Sequence, residues 1–556
     1  MRSWTVGRYL VERMRQVGLR HVFGVPGDYV LALLDEIVDS EVELVGTCNE
    51  LNAGYAADAY ARVNGVGAVC VTYAVGGFSV LNAIAGAYAE QVPVIAVAGG
   101  PNRSDRDERK LLHPTLGHHG IQVEVFRHVT QESVLLTDAD DAPEQIDRAI
   151  AACVAHRRPV FIEVPADLVK QPCRAPRPRE FDERPPSDPD ATREAVEEAV
   201  RMLLAAERPV VLGGVELHRF GVQPGFVRLV ERAGCPVATV LLGKSVIAET
   251  HPQYVGLYRG ALSEDYVRET VEGADCVLSL GAWMTDINLG IYTADIDTAR
   301  LIHSGAWRVQ IRHHHFERVF LGDFIDGLFE ALPAAPAPRE TIRPASRALV
   351  EPFAPAPEER VSVARFFERM NHFLREGDVV LADAGDSFLC AGDLIVHHSV
   401  GFICQAFYCS LGFSLPGALG VGLADRSRRA VVFAGDGALQ MTVQELSTLV
   451  RQRLNPIVFV MNNRGYTIER AIHDGPYNDI QNWRYHSLPE VFGGGWSCEV
   501  HKEAELEAAL ERAREEPDRL ALIEVHIDPQ DCSSALERLG QALGERQTLT
   551  TGFRRA

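Results

Sequence analysis

The chain has 556 residues, 46% hydrophobic and 24% charged, a composition typical of a folded protein and a length that suits about three domains rather than one core. Its 55 Lys and Arg against 76 Asp and Glu give a net charge of −21, which argues against nucleic acid or an anionic membrane as a partner and leaves any anionic substrate to local donors and a bound cation. Eleven cysteines without a Cys-x-x-Cys pair argue against a disulfide framework or a structural zinc; with no signal-peptide core and no apolar run of about 18 residues, a cytoplasmic protein with no membrane span is expected.

In chain order, an amphipathic helix leads into Phe23-Gly24-Val25-Pro26-Gly27-Asp28-Tyr29, where Asp28 follows a strand and a Gly turn, a place where Asp usually caps a helix. Cys48 to Asp58 reads as a helix opened by Asn49 with Glu50 in its first turn; taken alone, Glu50 complements the helix dipole. The β-rich runs Ala68 to Thr72, Val94 to Val97 and Val160 to Val164 alternate with helical patterns, the rhythm of a parallel sheet. The stretch from Lys170 to Asp190, rich in Pro, Arg and acids, is an exposed connector.

A second α/β block runs to about residue 332. Its Pro209-Val210-Val211-Leu212-Gly213-Gly214 is a strand and turn too weak to establish a nucleotide site, and His313-His314-His315 reads as a solvated strand end. Pro333 to Pro357 is a second linker, and His397-His398 reads as structural. In the third block, Val431 to Ala434 is a buried strand ending at Gly435-Asp436-Gly437, Met441 to Arg453 a helix, and Ile457 to Met461 a strand ending at Asn462-Asn463. The fold expected is α/β, three doubly wound parallel-sheet domains over residues 1–170, 190–332 and 358–556.

That last β-α-β unit sets a carboxylate and side-chain amides at the carboxyl ends of neighbouring strands, a shell suited to Mg²⁺ with phosphate oxygens and water completing the octahedron. Gly-Asp-Gly and Asn-Asn are each ordinary alone, and a nicotinamide site is disfavoured because Gly435-x-Gly437-x-x-Gln440 lacks the third glycine. Together, with the run Gly465-Tyr466-Thr467-Ile468-Glu469-Arg470 and then Ile472-His473-Asp474-Gly475-Pro476-Tyr477-Asn478, they resemble the thiamine diphosphate-dependent 2-oxo acid decarboxylase family, in the pyruvate decarboxylase and indolepyruvate decarboxylase branch. The resemblance runs from Thr5-Val6-Gly7 to Asp531-Cys532.

The resemblance implies that the first block binds the aminopyrimidine, the third the diphosphate, and that the cofactor bridges two subunits of a homodimer or homotetramer. It makes Asp436, Asn463 and the carbonyl of Gly465 the metal ligands, and sets Asp386, Gly435, Gly437, Ala438 and Tyr466 around the cofactor. Glu50 would share a proton with the pyrimidine, turning the opposite amino group into the base that activates the thiazolium. Leu411 would hold the cofactor folded and the Cys409 carbonyl would accept from its amino group. Asp28 and Glu469 match the family's acids, with Ile468 and Ile472 as apolar neighbours that could raise the pKa of Glu469. Thr72 is a candidate donor to the substrate. At Leu112-His113-Pro114 the chain departs from the family's two adjacent histidines: His113 remains, but Pro114 can neither donate nor titrate, unless His118 or His119 folds back to replace the missing relay member.

Ile468 and Ile472 suit a pyruvate pocket in this branch, while Phe388 and Leu539 stand where a close bacterial pattern has tryptophan, so a bulkier aromatic or branched 2-oxo acid becomes plausible. The function expected is decarboxylation of a 2-oxo acid to an aldehyde and CO₂ through a thiamine diphosphate enamine with Mg²⁺. The alternatives are a carboligase forming acyloins, or a catalytically weak cofactor-binding regulatory protein.

Overall fold

The computed structural model describes residues 3–181, 184–334, 352–397 and 401–540; His398 and most of the Pro/Ala-rich second linker lie outside them. The apolar runs become buried strands, and the stretches between them become helices covering three sheets. The first sheet holds β1 (His21–Gly24), β2 (Glu43–Gly46), β3 (Gly67–Val71), β4 (Val94–Gly100), β5 (Glu132–Leu135) and β6 (Val160–Pro165), all parallel, in the order β2-β1-β3-β4-β6-β5.

The middle sheet holds β7 (Pro209–Gly213), β8 (Val237–Val240), β9 (Tyr254–Tyr258), β10 (Cys276–Leu280), β11 (Leu301–Ser304), β12 (Arg308–Ile311) and β13 (His314–Glu317), in the order β13-β12-β11-β10-β7-β8-β9. This sheet is mostly rather than wholly parallel, because β12 runs antiparallel to both β11 and β13. The connections Gly305-Ala306-Trp307 and Arg312-His313 are far too short for a parallel crossover and make hairpins instead. The triple histidine opens β13 on the surface, with His314 Nδ1 3.0 Å from Glu198. The Gly213-Gly214 turn is filled by backbone: a Cβ on Gly214 would stand 2.1 Å from Ala282 Cα.

The third sheet holds β14 (Val379–Ala382), β15 (Gly401–Ile403), β16 (Ala430–Gly435), β17 (Ile457–Asn462), β18 (Trp496–Val500) and β19 (Ala521–His526), all parallel, in the order β15-β14-β16-β17-β19-β18. From β14 the chain goes outward to β15 and returns to β16 on β14's other side, so a topological switch point lies between β14 and β16. The helix predicted over 441–453 is three pieces, Asp436–Thr442, a 3₁₀ turn Val443–Glu445, and Leu446–Arg451. Thr442 leaves helical geometry (φ −138°, ψ 16°) and its hydroxyl donates to the Gly412 carbonyl at 2.7 Å.

First and third domains pack closely within the chain. The Glu50–Asn64 helix lies against the Ser414–Ala424 helix, where a Cβ on Gly420 would meet the Ala56 carbonyl at 2.1 Å. Asn52 Nδ2 donates to Glu445 at 2.7 Å, fixing the start of the first helix against the third domain. No disulfide joins any of the eleven cysteines. Among the described residues no helix is long and apolar enough to cross a membrane.

Candidate active site

At the β14/β16 switch point lies a cavity of about 260 Å³, walled by the loops after β14, β16 and β17 and by segments of the middle domain. β16 ends opposite β17, with Gly435 in register with Met461, so Asp436 and Asn462-Asn463 leave the sheet side by side. Asp436 is fully buried and accepts from the amides of Gly437 at 2.7 Å and Arg464 at 2.6 Å. Burial nevertheless pushes its carboxyl up to about 6.

Asn463 donates through Nδ2 to Thr467 Oγ1 at 2.5 Å, while its Oδ1 is buried with no hydrogen-bond partner. Such an orphan oxygen ordinarily costs about 1–3 kcal/mol, so it fits a site completed by a cation. The Asp436 carboxylate, Asn463 Oδ1 and the Gly465 carbonyl are the oxygens that would hold one, a set suited to Mg²⁺. The glycines here are obligatory: a Cβ on Gly437 would lie 2.5 Å from the Tyr466 ring, and one on Gly465 (φ +152°) would lie 2.1 Å from the Asn478 carbonyl.

Gly435, Ala438, Tyr466, Leu411 and Cys409 all line the cavity. Cys409 is held at φ +56°, a strained setting for a non-glycine residue. Glu90 fixes the turn before it by accepting from the Phe407 and Tyr408 amides at 2.8 and 3.1 Å. Burial raises the Cys409 thiol to about 11, so its side chain stays protonated and the backbone is what it offers. Asp386 also lines the cavity, but its carboxylate is taken by Ser533, whose amide donates to it at 2.9 Å and whose hydroxyl donates as well. That tie seats the helix over 534–540, and with it Leu539, across the cavity.

Phe388, Ile468 and Glu469 line the cavity, and Glu469 is exposed at its edge rather than enclosed by its apolar neighbours. Ile472 is 41% exposed and outside the lining. The middle domain contributes residues that sequence reasoning missed: Leu241, Leu262, Ile287, Ile291 and the buried Arg259. Arg259 directly follows β9, and a charged residue at the carboxyl end of a strand was a legible signal for it.

The first-domain candidates gather elsewhere, and none lines the cavity. Asn49 caps the Glu50–Asn64 helix, its Oδ1 accepting from Asn52 N at 2.8 Å, a bond worth about 1 kcal/mol. This cap sets Glu50 at the helix start, where its Oε1 would lie 3.4 Å from a Cβ on Gly76. The same Cβ would lie 3.1 Å from the Thr72 methyl, and the Thr72 hydroxyl is buried without a partner. Asp28 caps no helix: Val30 precedes the Leu31–Val38 helix, and Asp28 instead meets His113. His118 and His119 face other partners, His118 lying 3.5 Å from Glu124 and His119 Nε2 2.9 Å from the Lys110 carbonyl.

The chain therefore carries a cavity bordered by oxygens that would suit a cation and, apart from it, the Asp28–His113 pair with Glu50 and Thr72. Residues 4–132, 196–330 and 383–525 match, in turn, the N-terminal TPP binding domain, the central domain and the C-terminal TPP binding domain of thiamine pyrophosphate enzymes. Pyruvate decarboxylase 1 of Pisum sativum is 37% identical over 551 residues, covering 96% of this chain and 92% of that protein. Pyruvate decarboxylase 3 of Arabidopsis thaliana is 37% identical over 549 residues, covering 96% and 93%. An alpha-keto-acid decarboxylase of Mycobacterium leprae is 36% identical over 550 residues, covering 96% and 95%. With likeness along its whole length and both terminal domains matched, the chain belongs to the thiamine pyrophosphate enzymes, among the 2-oxo acid decarboxylases.

Proposed function

We propose that the protein converts a 2-oxo acid to an aldehyde and CO₂ with thiamine diphosphate and Mg²⁺, in a site completed by a second copy of the chain. The observation that carries this reading is the orphan Asn463 oxygen in the lining of a cavity that no first-domain residue lines, with the buried Asp436 carboxylate held in the adjoining loops by the Gly437 and Arg464 amides. Bound there, the cofactor would supply an electron sink for the electron pair that CO₂ leaves behind. Asp436, Asn463 and Gly465 would hold the metal, Leu411 and Cys409 would shape the cofactor's seat, and Tyr466 packs over Gly437.

The Glu50 of a second copy would supply the carboxylate that shares a proton with the pyrimidine, and that copy's Asp28–His113 pair and Thr72 would face the substrate across the cavity mouth. Glu469, exposed at that mouth, is placed to deliver the proton that the aldehyde gains. A homodimer is the smallest assembly that completes the site, and a homotetramer contains the same pairing. The walls contributed by Phe388, Leu539, Ile468, Ile287 and Ile291 suit an aromatic or branched side chain, and pyruvate fits with room to spare.

A second reading, carboligation, is favoured by one feature. Pro114 offers no proton, and His118 and His119 are turned to other partners, so protonation of the carbon that lost CO₂ is slowed and that carbon can instead bond to the carbonyl carbon of a second aldehyde or ketone, whose oxygen then takes the proton. The test is CO₂ and aldehyde release with cofactor and Mg²⁺ across pyruvate, branched 2-oxo acids, phenylpyruvate and indolepyruvate, with mass spectrometry for acyloins. Aldehyde matching CO₂ supports decarboxylation; acyloin in excess of aldehyde supports carboligation; no CO₂ from any acid contradicts both.

A further inference from the structure

Arg259 is 2% exposed and is the cation among the described residues that line the cavity. It stands just past β9, in the middle domain, and its backbone amide donates to Ser263 Oγ at 2.6 Å. Its Nη2 donates to Asp393 Oδ1 at 2.6 Å, but Nε and Nη1 are buried with no hydrogen-bond partner. A Cβ on Gly392 would lie 3.1 Å from Leu241 Cδ1 and 3.5 Å from Arg259 Nη1, and the cavity they line also carries Leu262, Leu389 and Phe388. A buried guanidinium with two idle donors in an apolar cavity is an expensive arrangement unless something that binds there accepts from it.

We infer that Arg259 reads the far end of the substrate's side chain, and that the substrate is a 2-oxo acid whose aromatic ring carries an uncharged oxygen acceptor such as a phenolic hydroxyl. Three features select this class. The idle N–H groups require an acceptor, which excludes a purely hydrocarbon side chain as the best fit. Asp393 already balances the guanidinium charge at 2.6 Å, so a second carboxylate would enter an apolar cavity without a net positive charge to meet it. The lining of Phe388, Leu262 and Ile287 in the same cavity offers apolar contact for a ring. Arg259 is thus a substrate-positioning residue rather than one that handles protons.

This inference rests on the decarboxylase reading above, and its test separates the two. The wild-type enzyme with saturating thiamine diphosphate and Mg²⁺ is assayed for CO₂ release from 4-hydroxyphenylpyruvate, phenylpyruvate and 2-oxoglutarate, alongside Arg259→Met, which keeps a long flexible side chain but donates nothing. The expected result is a kcat/KM at least about tenfold higher for 4-hydroxyphenylpyruvate than for phenylpyruvate, a preference that falls to parity in the variant. Asp393 is 40% exposed, so water takes up its charge when the arginine is removed. The comparison of substrates on the wild-type enzyme stands even if the variant fails to fold. Equal use of the two aromatic acids, or a preference that survives Arg259→Met, overturns the inference. Preference for 2-oxoglutarate overturns the choice of an uncharged acceptor. Absence of CO₂ from every acid strikes the decarboxylase reading itself.

Discussion

His113 Nε2 stands 2.9 Å from Asp28 Oδ2, with the two side chains 79% and 61% exposed. An acid and an imidazole thus stand together on an open face and outside the lining of their own chain's cavity, as the proposed shared site requires. Tyr29 steadies the pair by donating its hydroxyl to the His113 carbonyl at 2.7 Å. Asp28→Asn or His113→Gln is expected to lower aldehyde release by about 10²–10⁴-fold, the usual worth of a positioned proton-transfer group. Because both side chains are exposed, the melting temperature should move little. Steady-state kinetics and calorimetry on the same preparations check both halves of this expectation.

Glu50→Gln should abolish turnover and leave the fold intact. The helix start is held by Asn49 and by Asn52 reaching Glu445, neither of which the substitution touches. Circular dichroism should be unchanged while CO₂ release falls to background. Retained turnover would remove Glu50 from cofactor activation.

Cation binding should weaken in acid. Burial raises the folded-state pKa of Asp436 from 3.8 to about 6, so the metal-free fold binds this proton more tightly than the unfolded chain does. The sign follows: without metal, this group's contribution to stability becomes more favourable as pH falls through about 6, and a desolvation penalty of roughly 2–3 kcal/mol is present above it. A cation needs the carboxylate and must displace the proton. Mg²⁺ affinity measured by calorimetry with thiamine diphosphate present should therefore fall by up to about tenfold per pH unit below 6, and Asn463→Ala should weaken it at every pH. A flat profile would exclude Asp436 as a ligand.

Narrowing the cavity should change the choice of substrate. Phe388 lines it and is only 4% exposed, so the larger ring in Phe388→Trp has to project into the empty volume. The kcat/KM for phenylpyruvate relative to pyruvate should drop by at least about tenfold, read from the two substrates on one enzyme preparation.

Much of the fold was legible because it is local. Asn49 before a helical run, Gly435-Asp436-Gly437 after an apolar run, and the alternation of strands with helices each arise from a few neighbouring residues, and the strands and caps form where those signals stand. The reversal of β12 was not read, although Gly305-Ala306-Trp307 is visibly too short for a crossover. The break at Thr442 depends on a hydrogen bond to Gly412, a contact far along the chain that no periodicity reveals. Within the site, Asp436 and Asn463 were legible from one β-α-β unit. Arg259, Leu241 and Ile291 reach the same cavity from another domain, and only the folded chain brings them there. The exposure of Ile472 likewise depends on how the short Thr467–Ile472 helix turns relative to the cavity.

The central claim is that decarboxylation occurs in a site shared between two copies. Two inactive variants, Glu50→Gln and Asp436→Asn, are unfolded or dissociated together, reassembled with thiamine diphosphate and Mg²⁺, and assayed for CO₂ release from the best substrate. In a dimer whose sites each take the first domain of one copy and the third domain of the other, a mixed pair has one site with both residues intact. Random pairing should then restore about a quarter of the wild-type activity. If each site is built within a single chain, every site in the mixture lacks one of the two residues, and an assay that stays at background would contradict the account.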